Sequence, residues 1–218
     1  MNAIVRLGLA VLLAGSALQA NADDNVWLGV KAGTLGLGIE GTWRPSRYLD
    51  FRIGANKFSY DDTGSEAGID YDTELALQSF YATANLRPPL SPFRVTAGVV
   101  SNGNEVNLRS QASSTFLIGG TTFTSAQVGE LQGTADFDSV APYAGIGFDF
   151  RLFNTIGLNF DLGVLWQGAP GVALVATGPI ASDPLFQSEL AAEQLELQNA
   201  VDDYELYPVA SLGFSFNF

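Results

Sequence analysis

The sequence predicts an all-β chain, an eight-stranded antiparallel up-and-down transmembrane β-barrel with a short helix in its last long loop. Three observations predict it. Ser211 to Phe218 alternates small or polar residues with Leu212, Phe214, Phe216 and Phe218, the period of two expected of a strand whose sides meet different media. Hydrophobic residues make up 47% of the chain, yet no uninterrupted apolar run after Ala22 approaches the roughly 18 residues of a membrane helix. A chain that crosses lipid without such runs closes a barrel, which leaves no backbone group unpaired. Finally, the connections between alternating segments are by turns short and long, the asymmetry of a membrane barrel.

The chain divides into a signal peptide, residues 1–22, and the barrel, residues 23–218. Arg6, the apolar stretch Leu7 to Ala14 and the small-residue site Ala20-Asn21-Ala22 read as a secretory signal cleaved after Ala22. The apolar core is too short to be a retained membrane anchor. The chain has no cysteine, so neither a lipoprotein anchor nor a disulfide is available to it.

The first two strands are Trp27 to Gly33, with Leu28 and Val30 outward, and Leu35 to Arg44, with Leu35, Leu37, Ile39 and Trp43 outward. The parity of the apolar set flips at Gly33-Thr34, which fits a very tight hairpin or a bulge in one long strand; the hairpin is preferred. After Pro45-Ser46-Arg47, the third strand runs from Tyr48 to Tyr60 and points Leu49, Phe51, Ile53 and Ala55 outward. The fourth, about Leu75 to Leu86, ends at Arg87 to Pro92, whose prolines cannot serve a central ladder. The fifth, Phe93 to Ser101, turns Arg94 inward, and the sixth, Val140 to Phe150, turns Asp149 inward. The seventh, Ile156 to Trp166, carries Asp161 on its small face, and the eighth is Leu206 to Phe218.

Long connections fall at Asp61 to Glu74, Asn102 to Ser139 and Gly168 to Glu205. An even strand count with this asymmetry places both termini in the periplasm of a Gram-negative envelope and the long loops outside the cell. In the last loop, Ser182 or Asp183 caps a helix with Pro184 in its first turn, running to about Asp203, with Leu185, Leu190, Leu195, Leu197 and Val201 as apolar contacts.

A soluble barrel around a ligand has the same period with its apolar face inward. The glycine-rich small face suits a narrow filled interior, and aromatics near the short turns (Trp43, Phe93, Phe150, Phe216, Phe218) suit an interfacial girdle. Both favour the membrane.

The segments Lys31-Ala-Gly-Thr-Leu-Gly-Leu-Gly-Ile-Glu40, Phe93-Arg-Val-Thr-Ala-Gly98, Ala141-Pro-Tyr-Ala-Gly-Ile-Gly147 and Tyr207-Pro-Val-Ala-Ser-Leu-Gly213 resemble a family of small proteobacterial outer-membrane proteins. That family is loosely similar to the OmpA-type and OmpW-type eight-stranded barrels and to small amino-acid uptake porins. The terminal run through Phe214, Phe216 and Phe218 resembles the assembly signal of outer-membrane barrels. The resemblance implies location and fold, with outer-membrane lipid, lipopolysaccharide and the barrel assembly machinery as partners. It carries over no catalytic residue.

Function classes narrow further on composition. The chain has 23 acidic residues against 10 basic ones and a formal net charge of −13, which disfavours nucleic acid as a partner. It contains no histidine, whereas barrel lipases, palmitoyl transferases, deacylases and omptin proteases resemble one another in using a histidine base. No enzyme, cofactor site or metal centre is expected. If the first short turn pairs Arg44 with Tyr48, Glu40 falls directly opposite Arg52 on the inward face. Glu40, Arg52, Arg94, Asp149 and Asp161 then form an interior charge cluster whose members must pair in so narrow a space. The cluster is read as a structural plug ahead of a selectivity constriction for a small solute. The loops hold two acidic runs without a base: Asp61, Asp62, Glu66, Asp70, Asp72 and Glu74, and then Asp183, Glu189, Glu193, Glu196, Asp202, Asp203 and Glu205. They suit divalent cations or a surface partner, and more simply a solvated face. The functional expectation is a monomeric barrel with a structural or small-solute-passage role, or else an anchor for a surface interaction protein.

Overall fold

Alternating side chains and unbroken antiparallel pairing close eight strands into a barrel. The computed structural model of the protein describes residues 25–66, 69–110, 115–152 and 155–217, without the side chains of 64–66 and 69–71. The expected signal peptide and Phe218 lie outside the described residues. The barrel strands are β1 (Val26–Gly33), β2 (Gly36–Trp43), β3 (Leu49–Glu66), β4 (Ile69–Leu86), β5 (Phe93–Asn102), β10 (Val140–Leu152), β11 (Ile156–Trp166) and β13 (Leu206–Asn217). Each pairs antiparallel with the next in this order, and β13 returns to β1 with Trp27 opposite Asn217. The Gly33-Thr34 parity flip is a hairpin, with Gly33 opposite Gly36. Gly36 takes a φ of +96°, which a side chain would resist.

The outer face is apolar. Ile39, Ile53, Phe80, Leu86, Val95, Val99, Leu162 and Phe214 are exposed along it, Ile53 at 67%. At the end of the barrel with the short turns, Trp43 stacks on Phe51 with ring centroids 5.8 Å apart, and Phe93 meets Phe148 edge-on at 5.6 Å. A band of this kind on a closed barrel is the surface of one that spans a bilayer.

Long connections contribute a second layer of structure above the barrel. The expected loop Asp61 to Glu74 is instead a continuation of β3 and β4, which stay paired from Leu49–Leu86 up to Glu66–Ile69. Asp61, Asp62 and Thr63 are exposed in succession there, and the sequence carries no apolar alternation. Further strands extend the sheet: β6 (Glu105–Ser110) beside upper β4, then β9 (Leu131–Asp136) and β12 (Gly171–Ala176). A hairpin of β7 (Thr115–Ile118) and β8 (Thr121–Thr124) and the helices α1 (Ser125–Val128) and α2 (Pro184–Val201) complete this head. Its core is Phe116, Ile118, Val128, Ala176, Phe186 and Leu190.

Asp183 caps α2, accepting from the backbone N–H of Leu185 at 2.9 Å and of Phe186 at 3.2 Å. Of the expected apolar contacts only Leu190 is buried; Leu185 is 80% exposed, and Leu195 and Leu197 are also exposed. Phe186 takes their place in the core, because α2 rests a narrow face on β12 and β7.

Candidate functional site in the barrel lumen

Interior glycines decide what the lumen can hold. A Cβ on Gly147 would strike the Arg94 guanidinium, and one on Gly163 would lie 2.6 Å from the Tyr143 ring. Bare positions on one strand thus make room for long side chains from its neighbours, and the lumen fills.

At the loop end the filling is apolar: Leu35, Val100, Ala141, Leu165 and Val209 pack together with Tyr81, Tyr143 and Tyr207. Leu35, expected on the outer face, is therefore inside. The hairpin tip bends inward, held by Thr34 Oγ1 donating to the Pro208 carbonyl at 3.1 Å and by the Tyr207 hydroxyl donating to the Thr34 carbonyl at 2.7 Å.

Beneath this layer lies a cavity of about 40 Å³, lined among others by Lys31, Glu40, Arg52, Tyr81, Asp161 and Leu35. It has room for a few waters. Glu40 accepts from the Tyr81 hydroxyl at 2.8 Å and lies 3.8 Å from Lys31 Nζ, which sits 3.9 Å above the Tyr81 ring.

The five expected cluster residues come together. Arg52 Nη1 reaches Glu40 at 3.0 Å, and Arg52 Nη2 reaches Asp149 at 3.0 Å. Arg94 Nε reaches Asp149 at 3.1 Å, and its Nη2 pairs with Asp161. The register differs from expectation, because Glu40 lies opposite Gly54 and Arg52 opposite Thr42. The short turn is wider than a pairing of Arg44 with Tyr48 allows: Ser46 Oγ accepts from the N–H of Tyr48 and Leu49, and Trp43 pairs with Phe51. The shift is by two residues, so both side chains keep the inner face and meet diagonally.

The cluster is larger than the sequence reading had it. Asp50 accepts from Arg52 Nε at 3.4 Å and from Asn85 Nδ2 at 2.6 Å, and it pairs with Arg87, which also pairs with Asp149. Thr96 Oγ1 takes a hydrogen bond from Arg94 at 2.8 Å and donates one to Asn85 at 2.6 Å. The prolines after Arg87 place it at a turn, yet its parity with Asn85 puts it on the inner face. Below the network, burial pushes the Arg44 guanidinium down to about 9, with Arg87 and Arg151 adding repulsion.

The first acidic run has a basic neighbour after all. Arg109 of β6 lies opposite Asp72 and joins Asp61, Asp62 and Glu74 around a surface hollow. Among the described residues no group of three or more carboxylates converges as a metal site. In the second run Glu193 accepts from Gly119 N–H at 2.9 Å and Asp202 from Gln198 at 2.8 Å.

No protein-family model matches the chain, and no curated protein is similar to it in sequence. Solved structures similar in fold include two from Acinetobacter baumannii. CarO is 24% identical and CarO2 22%; each superposes with a TM-score of 0.58 over 89% of this chain and 98% of its own. At these identities the likeness carries the fold, and the chain is an eight-stranded closed barrel of the shape those two proteins have.

Proposed function

We propose that the protein is a monomeric outer-membrane barrel whose closed lumen makes it an anchor, and that its extracellular head is the part that meets other molecules. One observation carries this reading: the bridges from Arg52 and Arg94 to Glu40, Asp149 and Asp161 tie β2, β3, β5, β10 and β11 together across the lumen. Ions paired this way in a confined, water-poor space are costly to part. Apolar packing around Leu35 closes the next level. The apolar belt and the short-turn asymmetry support the outer membrane, with signal cleavage after Ala22 and the head facing outward. The role needs no catalytic residue.

A second reading, passage of a small solute, is favoured by the cavity between the two closures, whose Lys31, Glu40 and Asp161 would suit a small charged molecule. Planar-bilayer recording separates the two. A silent purified barrel supports the anchor, and steady unitary conductance in the unmodified protein refutes it. Protease shaving of intact cells tests the orientation, and cleavage in the head without cell lysis is expected.

A further inference from the structure

At the mouth with the short turns, two cations go unmatched among the described residues. Asp50 and Asp149 are the described carboxylates that act on both, and Arg52, Arg87 and Arg94 already occupy them. Arg44 and Arg151 have no ion pair among the described residues. Arg44 is only 7% exposed, and its Nε and Nη1 have no hydrogen-bond partner there. Its guanidinium carbon lies 4.8 Å from the centre of the Trp27 ring, and that of Arg151 lies 5.4 Å from the same ring. Trp27 is 3% exposed, and its Nε1 donor is likewise unpartnered. Buried donors and like charges gathered at one ring are costly unless something negative joins them.

We propose that this mouth binds a phosphate-type oxyanion between Arg44 and Arg151 at Trp27. Guanidinium forks match phosphate oxygens two at a time, and two of them offset a dianion. Free phosphate and a phospholipid headgroup share this chemistry. That the mouth opens to the periplasm rests on the outer-membrane reading; the binding itself does not.

The test uses the full barrel in nonionic detergent at constant ionic strength. It is titrated with inorganic phosphate against chloride, and separately with monomeric dihexanoylphosphatidylglycerol, with calorimetry and the unfolding midpoint as readouts. Saturable binding and a raised midpoint are expected for the native chain and for Arg47→Gln, an exposed change in the same turn. Losing one charged partner should weaken binding on the order of tenfold in Arg44→Gln or Arg151→Gln. Without anion, Arg44→Gln should unfold no earlier than the native chain, since it removes an unmatched charge; earlier unfolding would make Arg44 a structural group and overturn the site. A response to phosphate identifies the free ion, and a response to the lipid alone identifies the headgroup. No saturable response to either, or equal responses in the native chain and both variants, overturns the proposal. Because binding is read in detergent, it stands or falls independently of where the protein resides.

Discussion

Arg52 donates to both carboxylate oxygens of Asp149, at 3.2 and 3.0 Å, although β4 and β5 separate their strands in the sheet. The contact therefore runs through the lumen instead of along the wall. Its loss would be felt on both sides of the barrel.

Asp149 also serves Arg87 and Arg94. Asp149→Asn should leave buried guanidinium groups underneutralised and lower stability by about 3–5 kcal/mol, as for other broken buried pairs. Urea unfolding in detergent reads this directly. A change under about 1 kcal/mol would mean that water already screens the network.

Gly147→Ala tests the filling of the lumen. The added methyl would meet the Arg94 guanidinium, so overpacking should cost about 1–3 kcal/mol. Gly41→Ala, whose Cβ would find only ordinary contacts at 3.8 Å, is the matched control and should be close to neutral.

Two closures in series predict a threshold. Leu35→Ser alone should remain silent in planar bilayers, and so should Arg52→Ala. The combined variant should conduct, in events read as current steps. Conductance from either single change would reduce the closure to one level.

Asp183→Ala removes the cap of α2 and should cost about 1 kcal/mol. The loss should be confined to the head: hydrogen exchange should quicken in α2 and β12 while the barrel strands stay protected. Uniform acceleration would mean that head and barrel unfold together.

Deleting Phe218 removes one aromatic side chain, a loss of about 2 kcal/mol at most on burial alone. Refolding into detergent should be nearly normal, whereas accumulation in the outer membrane should fall sharply if the terminal aromatic is read during assembly. Normal surface levels in cells would leave it as an ordinary aromatic.

The barrel was legible where its two faces meet different media. β5, β10 and β11 begin within a residue of their expected starts because lipid outside and packed polar groups inside impose alternation. The upper halves of β3 and β4 were not legible, since Asp61, Asp62 and Thr63 are exposed in succession and the period disappears. The charge cluster was readable by parity, which survives a register error of two residues. Its extent was not, because Arg87 precedes two prolines that mark it as a turn residue, although it shares the inward parity of Asn85. Arg109 could not be matched to Asp72 by counting, since a long loop intervenes before β6 returns to β4.

Gln198 of α2 donates to the Pro170 carbonyl at 2.7 Å and accepts from the N–H of Val172 at 2.9 Å. One amide thereby occupies both kinds of backbone group on the open side of β12, the outermost strand of the head. Bare strand borders invite the borders of neighbouring molecules to join them. Copies crowded in the plane of a membrane meet one another constantly at this height. The helix thus covers that border at Pro170 and Val172, the groups that a strand of an abutting copy would otherwise have to pair with.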